Sequence, residues 1–363
     1  MIMLTKNQLL KIKLMAEGMK ITEEAKRVMS NNGDLPLSLF EYATTDGVPL
    51  KFKSDDIFIN APFAENFCKK SKITLDFDGK EFFLKDEGNV TFVEPIPLPS
   101  YFNKKNEKGE LYSWFAMTHT DRVRISPIAG CSFACKFCDS SLTFKYQKKD
   151  IKDLIESIEV AIKDPVLPAK HVLISGGTPF PQDYPYMDEV YEKVTKAFDI
   201  PVDIMMVPRP DIKYVDKLHS WGVHELSINL EIFNEKLSSD MIVGKYSVGR
   251  SHYVKFLERA VKVFGKNNVR SLLLVGLEPV KDTLGGIELL ASIGVSPVLS
   301  PFRPSLKTPL KDFPPPSIET LKIAWEEGSK IAKKYDIKLG PRCIPCHHNT
   351  LSFSDKSNFY YYS

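Results

Sequence analysis

From about residue 121 onward, short β-branched or apolar runs alternate with longer stretches of helical spacing. The runs are DRVRISPI, HVLISGG, PVDIMMVP, ELSINLE, VRSLLLVGLE and SPVLSPFRP. The helical stretches lie near 150–163, 184–198, 211–220, 252–264, 280–293 and 317–335. This alternation predicts parallel strands joined by right-handed crossovers, with function in the loops at the strand C-terminal ends. Periodicity leaves open whether the sheet is flat or curled. Before residue 121 the pattern is less regular. A helical opening spans about 6–31, KITLDFDG and KEFFLKDEG read as short strands, and the Pro-rich VEPIPLPSYF reads as a linker. The chain therefore divides into a mixed α/β extension (1–120), a β/α unit (121–335) and a tail (336–363).

With 363 residues, the chain suits one large α/β domain with an appendage. Its 43% hydrophobic and 26% charged residues are ordinary for a globular protein. A formal charge of +3, with acids and lysines interspersed, shows no basic stripe for nucleic acid. The opening residues lack the apolar core of a signal peptide, and no apolar run approaches the roughly 20 residues of a membrane span. The expected location is cytoplasmic, where six cysteines read as metal ligands or catalytic groups rather than disulfides. No P-loop, dinucleotide fingerprint, zincin or serine-nucleophile pattern is present.

Three of those cysteines, Cys131, Cys135 and Cys138, stand as C-x3-C-x2-C in AGCSFACKFCDSS, just past the first repeating strand. Clustered thiolates select zinc, copper(I) or an iron–sulfur cluster. A zinc site would normally close with a fourth Cys or His, and the next thirty residues offer none. A [4Fe–4S] cluster on three thiolates leaves one iron open for an outside ligand. Other candidate residues also follow strands. SGGTP (Ser175–Pro179) follows the second, and SINLE, with Asn229 and Glu231 on one strand face, extends the fourth. LLLVGLEP, with Gly276 and Glu278, ends the fifth. Each has a plainer reading: a glycine turn, a polar strand end, a carboxylate at a helix start.

Together these motifs resemble the radical S-adenosylmethionine (SAM) superfamily, over about residues 121–304. The resemblance implies a partial (β/α)6-type TIM barrel with an α+β N-terminal extension. It implies a [4Fe–4S] cluster on Cys131, Cys135 and Cys138, with Phe137 before the third cysteine. SAM would be bound by Gly176, Gly177, Thr178 and Pro179, by Asn229 and Glu231 as in biotin-synthase-like members, and by Gly276 and Glu278. Thr178 stands where the family usually has Glu. An enzyme of this kind receives an electron from a flavodoxin or ferredoxin and removes hydrogen from a substrate, here an unidentified small molecule or peptide. The competing readings are a non-catalytic zinc protein and an iron–sulfur electron-transfer protein.

A second pair, Cys343 and Cys346 in RCIPCHH, lies in the tail. It matches the c-type haem motif, but haem attachment occurs outside the cytoplasm. A thioredoxin-like pair should open a helix in a βαβ unit. The reading preferred here is an auxiliary iron–sulfur cluster on Cys343, Cys346 and one of His347, His348 or the distant Cys68. An extended YDIKLGPRC would bring Cys343 to the face where SAM sits. The alternative is a reduced pair packing the tail over the barrel mouth. Arg303 could bind a substrate carboxylate or phosphate, or form an ordinary salt bridge. His119 and Arg122 could reach substrate, although residues at strand starts more often serve stability. Asp139 is expected to cap the turn after Cys138, and the terminal NFYYYS is an aromatic cluster.

Overall fold

The computed structural model describes residues 4–31 and 47–353. NFYYYS therefore lies outside the described residues. The expected opening helix is two. Helix Lys6–Glu17 begins in a capping box, with Gln8 N donating to Thr5 Oγ1 at 3.2 Å and Thr5 N to Gln8 Oε1 at 2.9 Å. It ends at Gly18, where φ is +67° and a Cβ would lie 2.3 Å from Cys68 Sγ. A second helix, Glu23–Asn31, follows. Six strands form the sheet of the extension: β1 (Lys20–Ile21), β2 (Val48–Phe52), β3 (Phe58–Ala61), β4 (Thr74–Phe77), β5 (Phe82–Asp86) and β6 (Asn89–Pro95), in the order β1-β4-β5-β6-β2-β3. The segment after it is packed rather than a free linker: Tyr101 is fully buried and its hydroxyl lies 2.7 Å from Thr118 Oγ1.

The larger sheet is a half-barrel. Its strands are β7 (Ala116–His119), β8 (Arg122–Ile125), β11 (His171–Ile174), β12 (Val202–Met205), β13 (Glu225–Ser227), β14 (Val269–Val275) and β15 (Ser296–Pro301), in the order β15-β14-β13-β12-β11-β8-β7. The six from β8 to β15 are parallel and coincide with the six expected runs. Among the described residues the intervening β9 (Ile128–Ala129) and β10 (Gln147–Lys148) pair only with each other. The expectation missed β7, which adds to β8 as an antiparallel edge through the turn at Thr120 and Asp121. The sheet therefore begins at residue 116. The helices between strands, Ile151–Ile162, Tyr184–Ala197, Tyr214–Ser220, Arg250–Phe264 and Val280–Ser292, bury apolar faces against the sheet.

Strand register sets one face of the half-barrel apart. Arg122 pairs with His171, Asp203 with Glu225 and Ser227 with Arg270, so Arg122, His171, Asp203, Glu225 and Arg270 share a face near the strand starts. They are buried, and charges buried this deeply need partners. Arg270 Nη1 donates to Glu225 Oε2 at 2.9 Å, and its Nη2 lies 3.6 Å from Asp203 Oδ2. Arg342 also pairs with Glu225, and His224 Nδ1 lies 3.1 Å from Asp203 Oδ1.

The tail runs along β15 to reach this floor. Gly340 N donates to Pro297 O and Leu351 N to Leu299 O, each at 2.8 Å. The extension pins it from the other side. Fully buried Lys11 donates to His347 O at 2.8 Å and Ser352 O at 2.7 Å, and Asn60 N donates to His348 O at 2.8 Å. Burial alone lowers Lys11 to about 7. Among the described residues no helix is long and apolar enough to cross a membrane.

Burial, reinforced by nearby cations, lowers His171, His347 and His348 to about 3, and holds His119 well below its ordinary value. The unfolded chain takes up these protons near pH 6.5 and the folded chain does not. Stability is therefore fully present above that pH and lost as pH falls toward 3; His224, raised by its hydrogen bond to Asp203, opposes with one proton. A urea midpoint followed by circular dichroism should fall between pH 7 and pH 5, each fully titrating histidine contributing about 1.4 kcal/mol per pH unit. His348→Gln should shallow the decline. A flat midpoint across this interval would contradict neutral burial.

Candidate functional site

The three clustered cysteines lie in the loop after β8, at the C-terminal end of the barrel strands. Cys131, Cys135 and Cys138 line one cavity together with Phe137, Gly176, Gly177, Thr178, Pro179, Asn229 and Glu231. Residues far apart in sequence meet there because each follows a parallel strand. The loop after β11 rests directly on the cysteine loop. A Cβ on Gly177 would lie 1.6 Å from Gly130 O, so only glycine permits this contact. Ser132 N donates to Thr178 O at 2.9 Å and locks the two loops together.

Cys131 Sγ accepts from Phe133 N at 3.3 Å and from Thr178 N at 3.1 Å. Cys138 Sγ is hydrogen-bonded to Ser140 Oγ at 3.4 Å. Burial, then the Glu231 carboxylate, pushes Cys135 up to about 12, and burial raises Cys138. Metal loading must therefore displace protons from these two thiols. Helices Glu235–Met241 and Val243–Tyr246 brace the loop's outer side. Lys136 N donates to Met241 O at 2.9 Å, and Gly244 lies under the Phe133 ring. Asp139 opens the next turn with its backbone, but its side chain makes no cap bond.

Asn229 and Glu231 stand just past β13. Asn229 Oδ1 accepts from Ser227 Oγ at 2.9 Å and Leu272 N at 3.2 Å, which orients its amide. Glu231 has φ +65°, a left-handed conformation uncommon outside Gly, Asn and Asp. Backbone bonds on both sides hold it there, Glu231 N to Leu272 O and Leu274 N to Glu231 O, each 2.8 Å. Its Oε1 is paired with half-buried Lys245 at 2.5 Å, a residue that sequence reasoning did not single out. Burial opposes the Lys245 charge, and Glu231 outweighs it, holding the ammonium above its usual range. Oε2 is buried without a hydrogen-bond partner among the described residues. An unmet acceptor beside three cysteines fits a hydroxyl-bearing ligand such as the ribose of SAM, and the soft donor set fits an iron–sulfur cluster. Among the described residues no three Cys, His, Asp or Glu side chains converge to enclose a single ion.

Gly276 and Glu278 lie outside this lining. Gly276 has φ +106° and packs against Pro316, while Glu278 accepts from Asn234 N at 2.7 Å and Thr283 Oγ1 at 3.1 Å. Glu278 thus ties one strand-end loop to the next. Arg303 forms a buried ion pair with Glu65 of the extension, the plainer of its two expected roles.

The second cysteine pair lies elsewhere than expected. Cys343 and Cys346 lie at the floor, near the strand starts, opposite the face that carries the three-cysteine cavity. Arg122 Nη1 donates to Cys346 Sγ at 2.7 Å and to Cys343 Sγ at 3.4 Å. The tail follows the β15 edge down to the floor, which the local sequence does not reveal. Its expected co-ligands are not gathered there. Cys68 Sγ lies 3.7 Å from Glu65 Oε2, His347 Nε2 pairs with Pro341 O at 3.0 Å, and His348 stacks 5.5 Å from Phe58. A hydrogen bond from Cys343, then the Arg122 and Arg270 guanidiniums, bring Cys346 down to about 5 against the desolvation of its burial. Burial holds Cys343 well above its ordinary value.

Residues 125–284 match the family model of the radical SAM superfamily. A curated relative, bacteriochlorophyllide c C-7(1)-hydroxylase of Chlorobaculum limnaeum, is 27% identical over 153 residues, 42% of this chain and 38% of its own length. The chain thus spans well under half of that relative. Similar solved structures include a radical SAM methyltransferase from Sphaerobacter thermophilus, 16% identical with a TM-score of 0.48, covering 75% of this chain and 77% of that one. Methylornithine synthase is 16% identical with a TM-score of 0.47, covering 61% and 70%.

Lys245→Met should leave Glu231 buried without its counter-ion and cost about 3–5 kcal/mol of stability. Adding Glu231→Gln should recover much of that loss, as read from urea midpoints in a double-mutant cycle. Independent, additive effects would contradict the pairing.

Proposed function

We propose a chemistry for this chain, which carries a domain of the radical SAM enzyme superfamily over residues 125–284: reductive cleavage of SAM, coupled to removal of hydrogen from a substrate. One observation carries the reading. The cysteines 131, 135 and 138 share a cavity wall with the glycine loop 176–179 and with Asn229 and Glu231. In this reading Cys131, Cys135 and Cys138 would hold a [4Fe–4S] cluster, and the glycine loop with Asn229 and Glu231 would hold SAM beside it. When bound, that cluster supplies one electron to the sulfonium, giving methionine and a carbon radical on the deoxyadenosyl group.

The chain's own residues do the holding and shielding. The amides of Phe133 and Thr178 donate to Cys131 Sγ and fix its position. Gly177 brings the second loop against the first, so the cavity wall is backbone with little room to shift. Lys245 holds the Glu231 carboxylate, leaving Oε2 for a ligand hydroxyl. The apolar group of Ile232, Ile242, Leu274, Leu277 and Phe302 packs beside Cys135 and Phe137 and excludes water. A flavodoxin- or ferredoxin-type donor delivers the electron. A cytoplasmic setting agrees with free thiols in all six cysteines.

Anaerobically reconstituted protein given dithionite and SAM should yield 5′-deoxyadenosine. Cys135→Ala should abolish the yield, and Asn229→Ala should raise the SAM concentration needed for half-maximal yield. Uptake of zinc without iron and sulfide, and no 5′-deoxyadenosine, would defeat the reading in favour of a metal-binding module.

A further inference from the structure

The two tail cysteines are placed for a chemistry of their own. Cys343 stands at the N-cap of the one-turn helix Ile344–His347, and Cys346 lies within that turn. Cys346 N donates to Cys343 O at 3.2 Å, which sets the two residues one above the other. The Cys343 thiol is hydrogen-bonded to Cys346 Sγ, and Arg122 Nη1 reaches both sulfurs, at 3.4 Å and 2.7 Å. Residues a helical turn apart stand about 5–6 Å from one another, close to the span of a disulfide. Two sulfurs gathered at one nitrogen are therefore within reach of each other by side-chain rotation.

The pair is asymmetric. Cys343 is 3% exposed, whereas Cys346 is half-buried and takes the shorter bond from Arg122. The bond from Cys343, and then the Arg122 and Arg270 guanidiniums, favour the charged form of the Cys346 thiol. A thiolate is the form that attacks a disulfide. Cys346 is thus placed as the attacking sulfur and Cys343 as the one that resolves. The other four cysteines stand apart: Cys131, Cys135 and Cys138 line the strand-end cavity, and Cys68 lies against Glu65. The segment that carries the pair is also the one docked on β15 through the amides of Gly340 and Leu351. A disulfide sulfur carries no charge. Closing the bond would take a charged sulfur from Arg122 while its guanidinium stays buried.

We propose that Cys343 and Cys346 form a dithiol–disulfide site that reacts with small disulfides, and that its oxidation loosens the tail from the floor of the half-barrel. The Cys346 thiolate attacks one sulfur of a disulfide RSSR, breaking its S–S bond and releasing one thiolate. The Cys343 thiol then gives up its proton and attacks Cys346 Sγ, closing the internal bond and expelling the second thiolate. Two electrons pass to RSSR, and the two protons of the pair end on the two released thiols. Arg122 favours the reduced side of this balance, so the pair closes only in an oxidising thiol buffer. The proposal is independent of the radical SAM reading, because the pair lies at the opposite end of the strands.

The test uses the full-length, metal-free protein, equilibrated anaerobically in mixtures of reduced and oxidised glutathione. Alkylation and peptide mapping by mass spectrometry locate each disulfide, and hydrogen exchange follows the amides of residues 340–353. A Cys343–Cys346 link should appear as the oxidised share rises. Exchange at the Gly340 and Leu351 amides should then quicken about tenfold or more. Arg122→Gln should lower the oxidised-to-reduced ratio needed for half closure about tenfold. Cys343→Ser should stop at a glutathione adduct on Cys346. Circular dichroism first checks that each variant is folded. If Arg122→Gln is not, Cys343→Ser and the exchange data on the unaltered protein decide the matter. No link in the folded protein under excess oxidised glutathione would overturn the proposal. So would a link that forms only after urea unfolds the chain, or tail exchange that closure leaves unchanged.

Discussion

Arg122 and Arg270 hold the floor of the half-barrel, and the architecture above depends on both being paired. Strand register leaves little choice. Once Arg122 stands opposite His171 and Ser227 opposite Arg270, both guanidiniums face the interior near the strand starts. A buried guanidinium without an anion would cost several kcal/mol. Arg270 is met by Glu225 and Asp203. Arg122 is met by sulfur: its Nη1 donates to Cys346 Sγ at 2.7 Å, and the bond from Cys343, then the arginines, favour the charged form of that thiol. The tail cysteines thus act as part of the floor's charge balance, which explains why they lie so far from the cavity of the other three.

With the floor closed by paired charge, the strand C-terminal ends are free to be shaped by backbone. Two constraints govern that face. Gly177 presses onto Gly130, which leaves no tolerance for a side chain where the two loops meet. Glu231 is held in a left-handed conformation by bonds to Leu272 and Leu274. Strain of this kind is stored where the surrounding structure over-determines a residue. Both constraints border one cavity, where thiols and an unmet carboxylate oxygen coincide.

Much of this was legible in the sequence because it is local. Six β-branched runs with helices between them specify a parallel α/β sheet, and three cysteines within eight residues mark a candidate metal-binding loop. What stayed hidden depends on contacts across the chain. Edge strand β7 has no crossover signature, since it joins β8 by a tight turn. Arg303 reads equally as ligand or ion pair until Glu65 is found beside it, 238 residues away in sequence. Lys245 is an ordinary residue type at an ordinary spacing, and only its neighbours set it apart. The path of the tail is decided by Lys11 and by the β15 edge, neither of which leaves a mark in YDIKLGPRC itself.

That long reach of Lys11 bears on how the chain comes to be folded. Its ammonium is satisfied by carbonyls of His347 and Ser352, more than 330 residues downstream. During synthesis the helix that carries it is made more than 330 residues before those acceptors exist. Until then Lys11 keeps its water, and the helix cannot fully bury that face. The floor arginines likewise lack their sulfur partner until Cys346 has been made, so docking of the tail on the floor is a step the earlier elements must await.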